Sequence, residues 1–271
     1  MIQLLTPALS YGERVASGAS RVRGPGRNFQ CEMPGIQHSR NCQTPPASPA
    51  EPGELPRKLD FLESLDLTDR VVYDIGAFQG VMTLFFARKA KAVVTYEAHP
   101  AKFKRLLENI NLNQLQNVTA FNRGIGECQG EVLLACNPLM PGAASGDPQI
   151  VGQLRTSLPE AEVVKIGVFP LDYEIERRHL PAPDLVKIDI EGMELSALQG
   201  MPNLLKSHLP RLYLEMHGAT ENDKEQKAAA ILDFLARSAY RSILHVESGR
   251  AITPSAISIA REGHLFCVAG A

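Results

Sequence analysis

The chain has 271 residues, of which 44% are hydrophobic and 21% charged, and its formal net charge at pH 7 is −2. These values are typical of one sizeable soluble domain, and the charge provides no overall positive field toward nucleic acid or an anionic membrane. The chain has no run of about 18 apolar residues to span a bilayer, and its N-terminal stretch lacks the positive region of a signal peptide. We therefore predict a cytoplasmic protein without a nucleic-acid or membrane partner.

The cysteines indicate a reducing compartment. Their number is odd and none form a C-x-x-C pair, which argues against a disulfide framework and a structural zinc site. A reducing cytosol fits this usage. They are Cys31, Cys42, Cys128, Cys136 and Cys267.

Residues 1–57 differ in composition from the rest of the chain. They are rich in Gly, Pro, Ser and Arg, and the segment 44–56 alone holds five prolines. Proline removes backbone donors and interrupts regular structure. We therefore expect a flexible N-terminal extension, followed by one domain at 58–271. A lid over the active site is an alternative role for the extension.

From Lys58 onward, strand patterns alternate with helix patterns. Such alternation predicts an α/β fold, a mostly parallel sheet with helices on both faces. Continuous apolar runs, typical of buried strands, predict strands at 71–75, 92–97, 117–122, 131–136, 162–169, 184–189, 211–216, 241–246 and 264–270, the last two as a hairpin-like pair. Apolar residues with helical spacing predict helices at 80–90, 101–113, 193–201 and 222–240. Residues 137–152 have the composition of a loop.

The first predicted strand ends in YDIGAFQG (73–80), where Asp74 precedes Gly76 and Gly80. Ligands of open α/β sheets bind at the carboxyl ends of the strands, and glycine permits a tight turn and a close approach to a ligand. A dinucleotide site would favour G-x-G-x-x-G, and Asp74 would repel a pyrophosphate. The pattern therefore favours a sulfonium cofactor with an ammonium group, whose positive charge Asp74 would attract.

Polar residues also end the next two predicted strands. Glu97 follows the glycine loop by about 20 residues, where Rossmann-type proteins place an acid that binds a ribose diol. Asn122 begins the loop NRGIG (122–126) and offers both a donor and an acceptor to an adenine edge. A structural turn is the alternative role for Asn122.

Six segments together resemble the FkbM family of methyltransferases: YDIGAFQG, TYEAHP (95–100), NVTAFNRGIG (117–126), FPLDY (169–173), KIDIEGMELSALQG (187–200) and LYLEMHG (212–218). The resemblance, over about 58–217, implies a Rossmann-like class I fold with a seven-stranded sheet whose last strand is antiparallel. It implies S-adenosyl-L-methionine as cofactor and O-methylation of a sugar, polyketide or related small metabolite. Phe78, Gln79 and the loop 122–126 depart from the usual family pattern. The cofactor-binding residues then predicted are Asp74, Gly76, Ala77, Gly80, Glu97, Ala98, Asn122 and Asp189.

Acidic residues and a histidine follow two later strands, which neighbour each other in this fold. Asp189 and Glu191 come at the end of one, and Glu215 and His217 at the end of the other. We predict Asp189, Glu191 and His217 as catalytic residues. A neutral His217 could take the proton of the acceptor hydroxyl near pH 7, and Asp189 could orient His217 or take the proton itself.

Alternatives to this assignment concern both the residues and the class of protein. The acids and His217 together could bind Mg²⁺, although without a tight ligand spacing we predict no metal. Asp189 and Glu191 could instead cap the following helix. The alternative protein classes are a non-catalytic S-adenosylmethionine-binding protein and a dinucleotide-dependent reductase.

Overall fold

The structure is a computed structural model that describes residues 20–24, 27–31, 54–136, 144–158 and 160–270. Strands in these ranges lie in three sheets. In chain order they are β1 (Ser20–Gly24), β2 (Arg27–Cys31), β3 (Val71–Ile75), β4 (Ala92–Tyr96), β5 (Val118–Phe121), β6 (Gly124–Ile125), β7 (Gly130–Cys136), β8 (Ala144–Ser145), β9 (Glu162–Phe169), β10 (Leu185–Ile188), β11 (Arg211–Glu215), β12 (Tyr240–His245), β13 (Arg250–Ala251) and β14 (His264–Ala269).

Helices connect most of these strands. None in the described ranges is long and apolar enough to cross a membrane. They are α1 (Glu54–Ser64), α2 (Val81–Ala87), α3 (Pro100–Leu112), α4 (Pro148–Ser157), α5 (Leu171–Arg178), α6 (Glu194–Gln199), α7 (Pro202–Ser207), α8 (Glu221–Arg237) and a 3₁₀-helix at Pro254–Arg261.

The central sheet has the order β13-β12-β14-β11-β10-β3-β4-β5. The five strands from β11 to β5 pair in parallel, whereas β14 is antiparallel to both β11 and β12. This confirms the predicted α/β fold with a mostly parallel sheet and an antiparallel last strand. The two-residue β13 adds an eighth strand at the edge, beyond the seven that were predicted.

Helices cover both faces of the central sheet. Alternate residues of each strand point to opposite faces, so each strand contributes apolar side chains to both helix layers. In β11, Leu212 and Leu214 belong to an apolar cluster with Leu235 of α8. Tyr213, between them, belongs to a second cluster with Phe86 of α2. Burial on both faces explains why these strands are nearly continuous apolar runs.

A separate four-stranded sheet, called here the small sheet, has the order β6-β9-β7-β8. The predicted strands at 131–136 and 162–169 are its longest members, and they pair antiparallel from Gly130↔Val168 to Cys136↔Glu162. Leu134, Ile166 and Val168 form its buried apolar cluster. The sequence predicted both strands but not that they leave the central sheet.

The prediction of a loop at 137–152 is wrong for residues 144–152, the part of this segment that the structure describes. There the chain forms β8 and then starts α4 at Pro148. Asp147 caps this helix, and its Oδ1 accepts hydrogen bonds from the amides of Gln149 (2.8 Å) and Ile150 (3.1 Å). Asp followed by Pro suits an N-cap and first helical position as well as a turn. Residues 137–143 lie outside the described ranges.

Regular structure also occurs within the predicted extension at 1–57. The strands β1 and β2 pair antiparallel, and α1 begins at Glu54, ahead of the predicted boundary at 58. Pro56 fits there because amides in the first turn of a helix have no partner within the helix. The flexibility predicted for the remaining residues concerns positions outside the described ranges.

Candidate active site

A cleft opens at the carboxyl ends of β3, β4, β10 and β11, and the small sheet forms its opposite wall. Ligands of open α/β folds bind at this edge. The cleft is polar on the side of the central sheet and apolar on the other. Its lining includes Gly76, Phe78, Glu97, Ala98, Lys102, Asp189, Glu191 and Glu215, and from the small sheet Val132, Leu134, Ile166 and Val168.

The loop between β3 and α2 requires glycine at both predicted positions. Gly76 has φ +83°, and a Cβ there would lie 1.8 Å from the carbonyl oxygen of Asp189. Gly80 has φ +93°, and its Cβ would lie 2.5 Å from a methyl carbon of Leu106. The amide of Ala77 donates to the carbonyl of Tyr96 (3.1 Å). The loop is therefore pressed against the ends of β4 and β10, and Gly76 reaches the cleft surface.

Asp74 lies beneath this loop, fully buried, and does not line the cleft. One of its carboxylate oxygens accepts from the hydroxyl of Thr83 (2.6 Å), and the other lies 3.1 Å from Nζ of Lys187. Lys187 also donates to the carbonyl of Gly76 (2.9 Å) and lies 3.2 Å from Asp189. Burial opposes the charge of Lys187, but the carboxylates of Asp189 and Asp74 outweigh it and raise the pKa of Lys187. Asp74, which was expected to attract the cofactor, is therefore ion-paired with Lys187.

Glu97 lines the cleft although only 7% of the residue is exposed. Its Oε2 accepts from the amide of Phe78 (2.7 Å) and its Oε1 from the amide of His99 (2.8 Å). Burial raises the pKa of Glu97, and the two amides and the charge of Lys102 oppose this rise. Each carboxylate oxygen retains a lone pair, so both can still accept hydroxyl hydrogens from a ligand.

Asn122 lies outside the cleft lining and supports the loop that follows β4. Its amide nitrogen donates to the carbonyls of Glu97 (2.8 Å) and Ala98 (3.0 Å). Ala98 itself lines the cleft, as does Arg123. The guanidinium carbon of Arg123 lies 4.1 Å from the centroid of the Phe169 ring. Asn122, which was predicted to contact the adenine edge, thus supports the cleft wall and does not line the cleft.

His217 follows β11 and lies among four carboxylates. Its Nδ1 is 3.1 Å from Oε1 of Glu194, which is 1% exposed. Its Nε2 lies 3.6 Å from Glu191, 3.8 Å from Glu215 and 3.9 Å from Asp189. These last three acids line the cleft. The strand ends that carry the predicted catalytic residues therefore meet, as expected from the parallel order of β10 and β11.

The protonation state of His217 differs from the prediction. Burial opposes a charge on the ring, but the hydrogen bond to Glu194 and the charges of Glu194, Glu191 and Asp189 raise the pKa of His217 to about 9. A ring with this pKa is protonated near pH 7, whereas the sequence reasoning expected a neutral His217. Burial also raises the pKa of Glu191, an effect that the charge of His217 opposes.

A strained turn presents Glu191 at the cleft. Glu191 has φ +55°, a left-handed conformation that is uncommon outside glycine and persists where the surroundings enforce it. Its carbonyl accepts from the hydroxyl of Ser145, and the next amide, of Gly192, donates to Glu194 (3.0 Å). The N-cap of α6 is Met193, so neither Asp189 nor Glu191 occupies the capping position considered as an alternative.

Three residues from the group formed by His217 and its neighbouring carboxylates also form a candidate cation site. The ligand atoms of Asp189, Glu215 and His217 lie within 4.8 Å of one another. Oxygen and imidazole ligands suit several divalent cations. The sequence analysis considered these residues as Mg²⁺ ligands because their strands were expected to be neighbours, and the pairing of β10 with β11 brings them together.

The sequence reasoning missed two lysines of the site: Lys187, which is buried beneath the cleft, and Lys102, which lines it. A signal for Lys187 was present, since it is a charged residue within an apolar strand, two positions before Asp189 and on the same face. Lys102 gave no such signal, because lysines on an amphipathic helix are usually solvated. Its enclosure depends on the small sheet, which the sequence did not predict.

Comparison with known proteins gives one family match, and it spans more than half of the chain. Residues 74–242 match the methyltransferase FkbM domain. A hexuronic acid methyltransferase, AglP from Haloferax volcanii, is 28% identical over 153 residues, which cover 56% of this chain and 58% of the relative. Methyltransferase 1 from Beauveria bassiana is 27% identical over 146 residues, covering 49% and 59%. The chain thus spans less than two thirds of the length of these curated relatives.

Solved structures with a similar fold include methyltransferases. Methyltransferase FkbM from Methylobacillus flagellatus KT is 21% identical, with a TM-score of 0.46, and the match covers 74% of this chain and 43% of that one. A putative methyltransferase from Streptococcus mutans, in complex with SAH, is 12% identical, with a TM-score of 0.45 and coverage of 80% and 98%.

Proposed function

Because the chain belongs to the FkbM family of methyltransferases, whose methyl donor is S-adenosylmethionine, we propose that it transfers the methyl group of this cofactor to a hydroxyl of a small acceptor. One observation carries the proposal: Gly76, Glu97 and Asp189 line a single cleft at the carboxyl edge of the sheet. A cofactor lying along this edge has its ribose at Glu97 and its sulfonium toward Asp189 and Glu191.

The cofactor-binding residues divide into those that contact the cofactor and those that hold the contacts in place. Gly76, Glu97, Ala98 and Asp189 line the cleft and are the contacts. Lys187 links Asp74 to the loop carbonyl of Gly76. The residues in the second group are Asp74, Ala77, Gly80 and Asn122.

The acid cluster supports removal of the acceptor proton. The hydroxyl oxygen attacks the methyl carbon in line with the C–S bond, which breaks to leave S-adenosylhomocysteine, and the hydroxyl proton passes to a carboxylate. We assign this carboxylate to Glu191, because it lines the cleft and Asp189 is already bound to Lys187. His217, as an imidazolium, holds the acids together. Positioning of the reactants supplies much of the rate enhancement, up to about 7–11 kcal/mol in ideal cases.

A bound divalent cation is the second candidate for this step, favoured by the grouping of Asp189, Glu215 and His217. Such an ion would displace the proton of His217 and lower the pKa of the acceptor hydroxyl. The two schemes differ in one test. Full turnover after exhaustive EDTA treatment supports the carboxylate base, whereas activity that is lost and then restored by Mg²⁺ supports the ion.

We propose a sugar or a related small alcohol, such as a polyketide, as the acceptor. The hexuronic acid methyltransferase among the relatives supports the sugar. The apolar side chains of the small sheet, among them Val132 and Leu134, offer a surface for the C–H face of a ring. Carboxylates at the opposite side disfavour a phosphodiester, which they would repel.

The proposal is tested by following methyl-labelled cofactor over a panel of sugars, uronic acids, nucleotide sugars and polyketide alcohols. We expect labelled methyl ether and S-adenosylhomocysteine in equal amounts with the true acceptor, and a large loss of turnover in Glu191→Gln. Glu176→Gln, an exposed acid on α5, is the control. Cofactor binding without transfer to any member would support a non-catalytic binding protein, and co-purified NAD(P) would support a reductase.

A further inference from the structure

The ammonium of Lys102 is buried and has no hydrogen-bond partner among the described residues. Lys102 lies in the first turn of α3 and lines the cleft. Its Nζ is 5.2 Å from the centroid of the Phe78 ring, a cation–π contact that replaces only part of the lost hydration. A buried charge without hydrogen bonds is costly, so this side of the cleft has an ammonium donor available to a ligand.

Phe78 connects this donor to Glu97. Its backbone has φ +52°, which is strained for a bulky residue, and its amide donates to Oε2 of Glu97 (2.7 Å). The same residue therefore binds the carboxylate through its backbone and contacts the ammonium through its ring. Strain of this kind persists where several contacts enforce one conformation.

The neighbouring charges of Glu97 and Lys102 indicate the chemistry of the ligand. A phosphate or carboxylate attracted by Lys102 would be repelled by Glu97, whose charge interacts with the same ammonium. A neutral diol suits both residues. Each hydroxyl can donate its hydrogen to Glu97, and its oxygen can still accept a hydrogen bond from an ammonium.

We propose that Lys102 is a cofactor-binding residue that donates to the ribose diol of S-adenosylmethionine, whose hydroxyls donate to Glu97. This inference rests on the proposed function. Lys102 and Glu97 then bind the ribose from the side of α3 and from the end of β4, and the bound cofactor supplies the hydrogen bond that the ammonium lacks.

Calorimetry with S-adenosylhomocysteine tests the inference without an acceptor or turnover. Lys102→Met keeps the unbranched stem of the side chain, one atom shorter, and removes its charge. Lys104→Met, at an exposed position on the same helix, is the control. We expect Lys102→Met to weaken binding by roughly 10- to 100-fold and Lys104→Met to leave it unchanged. The 2′,3′-dideoxy analogue of S-adenosylhomocysteine should bind wild type and Lys102→Met equally.

The outcomes separate this inference from the proposed function. Failure of wild type to bind S-adenosylhomocysteine overturns both. If S-adenosylhomocysteine binds tightly and equally to wild type and Lys102→Met, only the role of Lys102 is overturned. The same conclusion follows if Lys102→Met weakens binding of the dideoxy analogue as much as it weakens binding of S-adenosylhomocysteine. The unliganded Lys102→Met variant should melt at or above the wild-type temperature, because a buried unpaired charge is removed; a lower melting temperature would assign Lys102 to the fold instead.

Discussion

The Nδ1 of His217 lies 3.1 Å from Oε1 of Glu194, a carboxylate that is 1% exposed. This contact ties the end of β11 to the first turn of α6. A protonated ring donates from both nitrogens, so Nε2 directs its proton toward the acids that line the cleft. The buried Glu194 therefore determines the charge that lets Asp189, Glu191 and Glu215 lie close together.

Glu194→Gln should lower the pKa of His217 from about 9 toward its ordinary 6.5. The substitution keeps an acceptor oxygen and removes the negative charge that stabilises the imidazolium. NMR titration of the ring in chelator-treated protein measures the shift, with Glu176→Gln as the exposed control. A pKa of about 9 retained in Glu194→Gln would show that Glu194 does not set the protonation of His217.

Glu97→Gln should weaken S-adenosylhomocysteine binding by about 1.5–3 kcal/mol, the range for hydrogen bonds to a charged group. A glutamine also places an NH₂ group against one of the two amides that donate to Glu97, so the loop loses a hydrogen bond. Calorimetry on the folded variant gives the affinity, and Glu176→Gln again serves as the control. An unchanged affinity would remove Glu97 from the cofactor site.

Gly76→Ala should destabilise the protein by more than the roughly 1–2 kcal/mol that a left-handed backbone costs alanine. The new methyl would meet the carbonyl of Asp189 at 1.8 Å, backbone against backbone. Gly249→Ala is a matched control, because Gly249 also has a positive φ (+66°) but nothing within 4 Å of its Cβ position. Urea denaturation should therefore show a much larger loss for Gly76→Ala. Equal losses would mean that close packing at Gly76 is unimportant.

Stability in acid should depend on Glu247. Burial opposes its ionisation, but hydrogen bonds from the side chain and amide of His264, with the charge of that ring, lower the pKa of Glu247 to about 2. A depressed carboxyl pKa stabilises the fold above pH 4.5, and this stabilisation is lost as the pH falls through about 2. The unfolding free energy should thus fall more steeply below pH 4.5 in wild type than in Glu247→Gln. Parallel slopes would contradict the assignment.

The sequence predicted the central sheet well because its strands are buried on both faces. The predictions at 71–75 and 92–97 match β3 and β4 to within one residue. It failed at α4, where Asp147 and Pro148 begin a helix within a Gly- and Pro-rich segment. The pairing of β7 with β9 was also missed, since residues on the solvent side of that sheet, such as Leu133 (48% exposed), give no alternating pattern.

The sequence predicted which residues meet at the candidate site better than it predicted their charges. Convergence of Asp189, Glu191 and His217 followed from the rule that neighbouring parallel strands end together. The protonation of His217 depends on its contact with Glu194, and the ion pair of Asp74 depends on the position of Lys187. Each contact joins residues of separate elements, and local sequence patterns do not predict such contacts.

A crystal structure of the protein with S-adenosylhomocysteine tests the central claim most directly. We predict the ribose hydroxyls within about 2.6–3.2 Å of the Glu97 carboxylate oxygens, the range of ordinary hydrogen bonds, and the sulfur directed toward Asp189 and Glu191. A nucleoside bound away from Glu97, or a sulfur facing away from the acid cluster, would contradict the account.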